Sequence, residues 1–157
     1  MAWRHMTPGD TQAVNRINNK VHSALPEDES VVIERLRLFP EGCFVLEDNG
    51  TIGGYAVSHP ILEDQPPVLN TLLGAIPSDA DQYYIHDFVL LPECRGRGLA
   101  AAGVAHVLEV GKRYKTTSLT SVYSTGSFWG RFGFVAAHGK DVSSYGNDAQ
   151  YMVRDNQ

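Results

Sequence analysis

Arg95-Gly96-Arg97-Gly98 carries the most specific chemistry in this chain of 157 residues. Two glycines let the backbone close around a bound group, and two guanidinium groups at the rim add positive charge. Tyr83 to Leu91, just before, is rich in aromatic and β-branched residues and stops at Pro92, which cannot donate to a ladder, so a strand is expected there. From Gly98 the pattern is helical. Ala100, Val104, Val107, Leu108 and Gly111 form one apolar or small stripe, with His106, Glu109 and Arg113 opposite. A strand, a glycine turn and a helix start present unpaired N–H groups and the positive end of a helix dipole, which suits a phosphate or pyrophosphate. The short side chains of Ala100-Ala101-Ala102-Gly103 let the first turn approach a sheet or ligand closely.

Two common nucleotide loops do not fit. A Walker loop needs Gly-Lys-Ser/Thr, and a dinucleotide fingerprint needs a third glycine where Leu99 to Ala101 stand. The spacing Arg95-x-x-Gly98-x-Ala100 instead resembles motif A of the GNAT superfamily of acetyltransferases. Ser127-Phe128-Trp129-Gly130-Arg131-Phe132-Gly133-Phe134 resembles that family's motif B, and the two stand in the family's order. The resemblance implies an α/β (α+β) fold, a mixed, mainly antiparallel sheet of six to seven strands flanked by about four helices, in a single domain over 1–157. It implies that acetyl-CoA is the co-substrate. Arg95, Gly96, Arg97, Gly98, Leu99 and Ala100 would bind its pyrophosphate, and Phe88, Val89, Leu90 and Leu91 its pantetheine arm. Ser124, Ser127 and Trp129 would complete the cofactor site, and the first two helices would border the acceptor.

Acetyl transfer to an amine needs a group that takes a proton from an ammonium whose pKa is near ~10.4, a donor for the oxyanion, and a thiol that leaves at a pKa around ~8.5. In relatives that read Ile-Glu-Asp-Leu on this strand a carboxylate occupies the place of His86. An imidazole can do that work, so His86 is the candidate proton acceptor; the alternative is a hydrogen-bonded structural histidine. Asp87 faces the opposite side of a regular strand unless a bulge re-aims it toward a cationic substrate. Tyr84 shares the face of His86 and is a candidate acceptor contact or a core residue. The family's usual tyrosine acid is replaced by Trp129, which leaves Tyr123, Ser124 or Ser127 to reprotonate the thiolate, or water alone.

Composition sets the frame. With 43% hydrophobic and 20% charged residues the chain reads as one soluble domain, with no membrane-spanning run and no signal-type start after Met1-Ala2-Trp3-Arg4-His5. Cys43 and Cys94 give no disulfide framework and no metal spacing, so a reducing cytoplasm is expected and no metal. Residues 1–94 hold 5 Lys/Arg against 14 Asp/Glu, and residues 95–157 hold 8 against 4. This asymmetry suits a polyanionic cofactor and a cationic acceptor, or else a solvated acidic surface. Nucleic acid is not an expected partner of an acidic chain.

Along the chain, residues 2–6 read as a strand and Thr7-Pro8-Gly9-Asp10 as the cap of a helix running to about His22, with Ala13, Val14, Ile17 and Val21 on one face. Glu27-Asp28-Glu29 opens a second helix whose stripe is Val32, Ile33, Leu36 and Phe39, ended by Pro40. Residues 43–47 and 51–59 form a hairpin around Asp48-Asn49-Gly50. The segment from Pro60 to Gln82 contains Glu63 and Asp64 and no Lys or Arg, and is either a substrate-facing lid or a surface excursion. A strand over 116–124, a short helix over 125–132, a strand over 133–136 and a closing strand over 150–154 complete the order. The expected activity is transfer of acetyl to a small cationic amine, polyamine-like or amino-acid-derived, by direct attack in a ternary complex. A protein N-terminus or lysine is the second acceptor, and a non-catalytic acyl-CoA-binding module is the rival class. A homodimer through an edge strand or the C-terminal arm would be common for the family.

Overall fold

Seven β-rich segments line up in one sheet in the computed structural model, which describes residues 1–157. They are β1 (Ala2–His5), β2 (Cys43–Asp48), β3 (Thr51–Ile61), β4 (Gln82–Leu90), β5 (Thr116–Ser121), β6 (Val135–Ala136) and β7 (Gln150–Asp155). Their order is β1-β2-β3-β4-β5-β7-β6, and only the β4–β5 pair is parallel. Four helices cover the sheet: α1 (Thr11–Val21), α2 (Glu29–Leu38), α3 (Leu99–Gly111) and α4 (Gly126–Gly130). The β2–β3 turn places Asn49 and Gly50 at φ of 51° and 81°, the left-handed pair that a two-residue hairpin requires.

The core lies on both faces. On one, Val14 and Ile17 of α1 and Val32 and Leu36 of α2 pack on Cys43, Val45, Tyr55, Val57 and Val89. On the other, Val104, Val107 and Val110 of α3 pack on Phe44, Ala56, Tyr83, Ile85 and Leu119, joined by Trp129 and Phe134. In α2 the stripe is rotated from the expected one: Val31 is buried and Ile33 is exposed, because Glu34 and Arg35 turn inward. Glu34 accepts the N–H groups of Leu73 (2.6 Å) and Gly74 (2.9 Å), and Arg35 donates to the Thr71 carbonyl (2.8 Å). These bonds strap the segment 62–81 across α2.

The strand expected over 116–124 stops at Ser121. Tyr123 and Ser124 take φ of 54° and 58°, which turns the chain away from the sheet. On β4 the register with β3 runs Val57↔Asp87 and then Ser58↔Ile85, so His86 is an extra residue opposite no partner. Beside β5 the pairing covers only Tyr83, Ile85 and the residue between them. Beyond Ile85 the two strands part, while α3 crosses between them as a βαβ connection.

The start of α3 is fixed by contact with β1. Trp3 donates from its indole to the Leu99 carbonyl at 2.8 Å and stacks on Phe88 with ring centroids 5.5 Å apart. A Cβ on Gly103 would collide with the Trp3 ring and meet Phe88 at 2.9 Å. Gly103→Ala is therefore expected to destabilise the protein by about 1–3 kcal/mol, read as a lower urea midpoint. An unchanged midpoint would mean that α3 does not press on Trp3.

Candidate active site

The turn before α3 is built on backbone conformation. Gly96 and Gly98 sit at φ of 81° and 73°, and a Cβ on either would meet nothing within 4 Å, so it is the left-handed backbone and not space that demands glycine. Gly98 caps the helix without a side-chain bond. The N–H groups from Gly96 to Ala101 donate to no protein acceptor, which leaves a run of aligned donors at the positive end of α3. Arg95 donates to the Leu90 carbonyl at 3.2 Å, and Arg97 folds back to the Glu93 carbonyl at 3.1 Å. Arg131, from the end of α4, lies over the Phe128 ring at 5.0 Å.

A cleft of about 560 Å³ starts at this turn and passes through the gap where β4 and β5 part. Its walls come from both faces of the sheet. Arg95, Gly96, Ala100, Phe128, Trp129 and Arg131 line the α3 side, and Asn18, Val21, His22, Leu25 and Glu27 line the side of α1 and its connection to α2. His86, Asp87, Phe88, Val89 and Leu90 of β4 form the floor between them.

The bulge brings His86 and Asp87 to the same face, where a regular strand would have separated them. His86 Nε2 is 2.7 Å from Glu27 Oε1, and the other Glu27 oxygen accepts the Asn70 N–H at 2.7 Å. Burial pushes the Glu27 carboxyl up, but the pairing with His86 and the bond from the Asn70 N–H outweigh it, and the carboxyl stays below its usual range. An ionised Glu27 accepts the proton of Nε2, which leaves the lone pair on Nδ1. That atom is buried and has no protein partner. A chamber of about 20 Å³, lined in part by Asn18, Glu27, His86 and Asp87, is large enough for one water.

Asp87 accepts from the Tyr55 hydroxyl at 2.6 Å and lies 3.1 Å from His22 Nε2. The other nitrogen of His22 is 3.0 Å from the Tyr123 hydroxyl, and the two rings stack at 5.6 Å. Burial raises the Asp87 carboxyl, but His22 and Tyr55 more than offset this and hold it below its ordinary value. Burial likewise lowers His22, and the bond to Asp87 outweighs it, so His22 is raised. Tyr123 is raised by burial and by the Asp87 charge. Asp87, His22 and Tyr123 thus form one connected line into the cleft.

The remaining candidate residues lie elsewhere. Leu91, Arg97, Gly98 and Leu99 belong to the turn but not to the cleft wall. Ser124 and Ser127 line a separate open groove with His138 and Gln150. Tyr84 is fully buried behind the cleft, its hydroxyl bonded to Thr120 (2.9 Å) and Tyr145 (3.4 Å). Glu63 and Asp64 sit just after β3, where their N–H groups donate to the side chains of Asp81 and Gln82. Sequence reading passed over Asn18, His22, Glu27, Tyr55 and Arg131. Glu27 was visible only as part of an acidic helix start, and nothing in local spacing ties His22 to Asp87.

A family model described as the acetyltransferase (GNAT) family matches residues 11–134. No curated protein sequence matches the chain closely. Among solved structures, Ard1 from Thermoplasma volcanium shares 17% identity over 98% of this chain and 96% of that one, with a TM-score of 0.74. A GNAT-like decarboxylase, GphF, in complex with isobutyryl-CoA covers 100% of both chains at 15% identity and a TM-score of 0.80. N-acetylglutamate synthase from Neisseria gonorrhoeae, complexed with coenzyme A and N-acetyl-glutamate, aligns with 99% of this chain and 35% of its own at 15% identity and a TM-score of 0.74. At these identities the likeness is one of fold, and the observed seven-stranded sheet with four helices is that fold. With its family model spanning most of the chain, and its glycine turn opening on a split between β4 and β5, this protein belongs to the GNAT family of acetyltransferases.

Proposed function

We propose that this enzyme transfers acetyl from acetyl-CoA to a primary amine in a ternary complex, with His86 as the proton acceptor. One observation carries the reading: a single cleft joins the unpaired amides of Gly96 to Ala101 to the His86–Glu27 pair on the other side of the sheet. The residues fit the co-substrate. The amides, Arg95 and Arg131 offer donors and positive charge to its phosphates, and Phe88, Val89, Leu90 and Trp129 offer an apolar bed to its arm. Acetyl-CoA supplies an activated thioester.

The chain's own groups supply the rest. His86 Nδ1, fixed as an acceptor by Glu27, takes the proton of the incoming ammonium directly or through one water in the adjoining chamber. We assign the return of a proton to the departing thiolate to the Tyr123 hydroxyl, which is bonded to His22, and its re-supply to His22, held by Asp87. This hydroxyl takes the place of the acid that Trp129 cannot provide, which weighs against a module without turnover. Direct attack is favoured because no cysteine faces the cleft. Cys43 and Cys94 are both buried, and burial pushes the Cys43 thiol up to about 12.

Gly98→Val is expected to weaken acetyl-CoA binding by ten-fold or more, since a branched side chain must leave φ +73° and drag the amides with it; calorimetric titration measures this, and unchanged affinity would refute the cofactor turn. His86→Ala should lower kcat by roughly 10²–10⁴-fold and alter the pH profile of kcat/KM, with acetyl-CoA affinity retained. A variant with wild-type kcat would make His86 structural.

The His22–Asp87 pair has a pH signature. His22 is raised, so its contribution to stability is full below the ordinary histidine value of about 6.5 and is lost as pH rises through its folded value. Asp87 is lowered, so its contribution is present above about 3.9 and is lost as pH falls through its folded value. Urea unfolding should show His22→Gln costing about 1.5–3 kcal/mol near pH 5.5 and less near pH 8.5. An equal cost at both pH values would show that no ion pair forms.

A further inference from the structure

The far end of the cleft, beyond His86 as seen from the glycine turn, has a chemistry of its own. Val21, Leu25, Leu69, Val122 and Tyr145 line it, and Tyr123 and His22 border it on the side of the reacting groups. No Lys or Arg lies among the residues lining that end, since Arg95 and Arg131 belong to the cofactor side. The only carboxylates on the whole cleft wall are Glu27 and Asp87, and both are committed: Glu27 to His86 and Asn70, Asp87 to His22 and Tyr55. Glu63 and Asp64, the acids expected to draw a cation, lie outside it.

This end is also roofed. The Tyr145 hydroxyl donates to the Pro67 carbonyl at 2.9 Å, and the Leu69 N–H donates to Ser144 Oγ at 3.2 Å, so the 62–81 segment is clasped to the chain before β7. Asn70 continues the clasp, accepting the Asp28 N–H at 2.8 Å through its side chain. The segment is thus part of the wall.

On the reading of this cleft as an acetyl-transfer site, we infer that its acceptor is a small amine with one positive charge and a compact apolar or aromatic body. One amine is met by the free lone pair of His86 Nδ1, whose Nε2–H is held by Glu27. A second ammonium would have to be buried against Leu25, Leu69 and Tyr145 without a counter-ion, which is strongly unfavourable. An α-carboxylate meets the same obstacle, with no cation to receive it. An apolar body of side-chain size gains enough from burial there to set a preference of roughly ten-fold or more.

The test follows thiol release from acetyl-CoA by the full-length protein with 2-phenylethylamine, 3-methylbutylamine, spermidine, glutamate and a lysine-bearing peptide. The expected result is kcat/KM for the two apolar amines roughly ten-fold or more above the other three. Leu69→Asp should reverse that order by giving spermidine a partner, and it should abolish the thermal stabilisation that 2-phenylethylamine confers in the presence of CoA. Faster turnover of spermidine, glutamate or the peptide by the native protein would overturn this assignment and leave the acetyltransferase reading standing. Acetyl-CoA binding without thiol release from any of the five would overturn both.

Discussion

β4 cannot pair with both of its neighbours along its whole length. On one side β3 follows it from end to end, but only by skipping His86; on the other, β5 leaves it after Ile85. The rest of the site depends on these two departures. The parting of β4 from β5 opens a passage through a sheet that is otherwise closed by packing on both faces, and the extra residue turns His86 and Asp87 together into that passage. Without the bulge Asp87 would face α3, and its bonds to Tyr55 and His22 could not form.

The two faces of the sheet then divide the work. Under α3, unpaired amides, two arginines and an aromatic bed line the entry, a chemistry suited to an anion. Under α1 and the start of α2, each of the two carboxylates on the cleft wall, Glu27 and Asp87, is held by a histidine and by neutral donors, so charge is present without being left unpaired. The burial of Glu34 and Arg35 has a related cause. Their bonds to the backbone of 71–74 fix the segment whose Leu69 lines the cleft, so a charged pair inside α2 shapes the cleft wall from a distance.

Much of this was legible in the residues. The glycine turn, the hairpin at Asn49-Gly50, the crossover helix and the element order follow from local periodicity and from turn chemistry that only certain residues permit. What was not legible is of two kinds. A bulge at His86 leaves no local mark, because the strand keeps its β-rich composition on either side, so the face of Asp87 stayed open. Partnerships such as Glu27 with His86 and His22 with Tyr123 join residues 59 and 101 positions apart; only the assembled sheet brings them together. The acidic bias of the first 94 residues suggested a cationic acceptor, yet four of those 14 acids are paired with arginines away from the cleft: Asp10 and Glu47 with Arg4, Glu41 with Arg113, Glu34 with Arg35.

The central claim is that one passage through the sheet binds acetyl-CoA with its phosphates on the α3 turn and its acyl end at His86. Amide hydrogen exchange with and without acetyl-CoA tests this most directly. The account predicts that Gly96 to Ala101, whose N–H groups have no partner in the protein, become protected, along with Glu27 and Asn70 across the sheet from them. Protection confined to some other surface, or none at the turn under saturating acetyl-CoA, would contradict it.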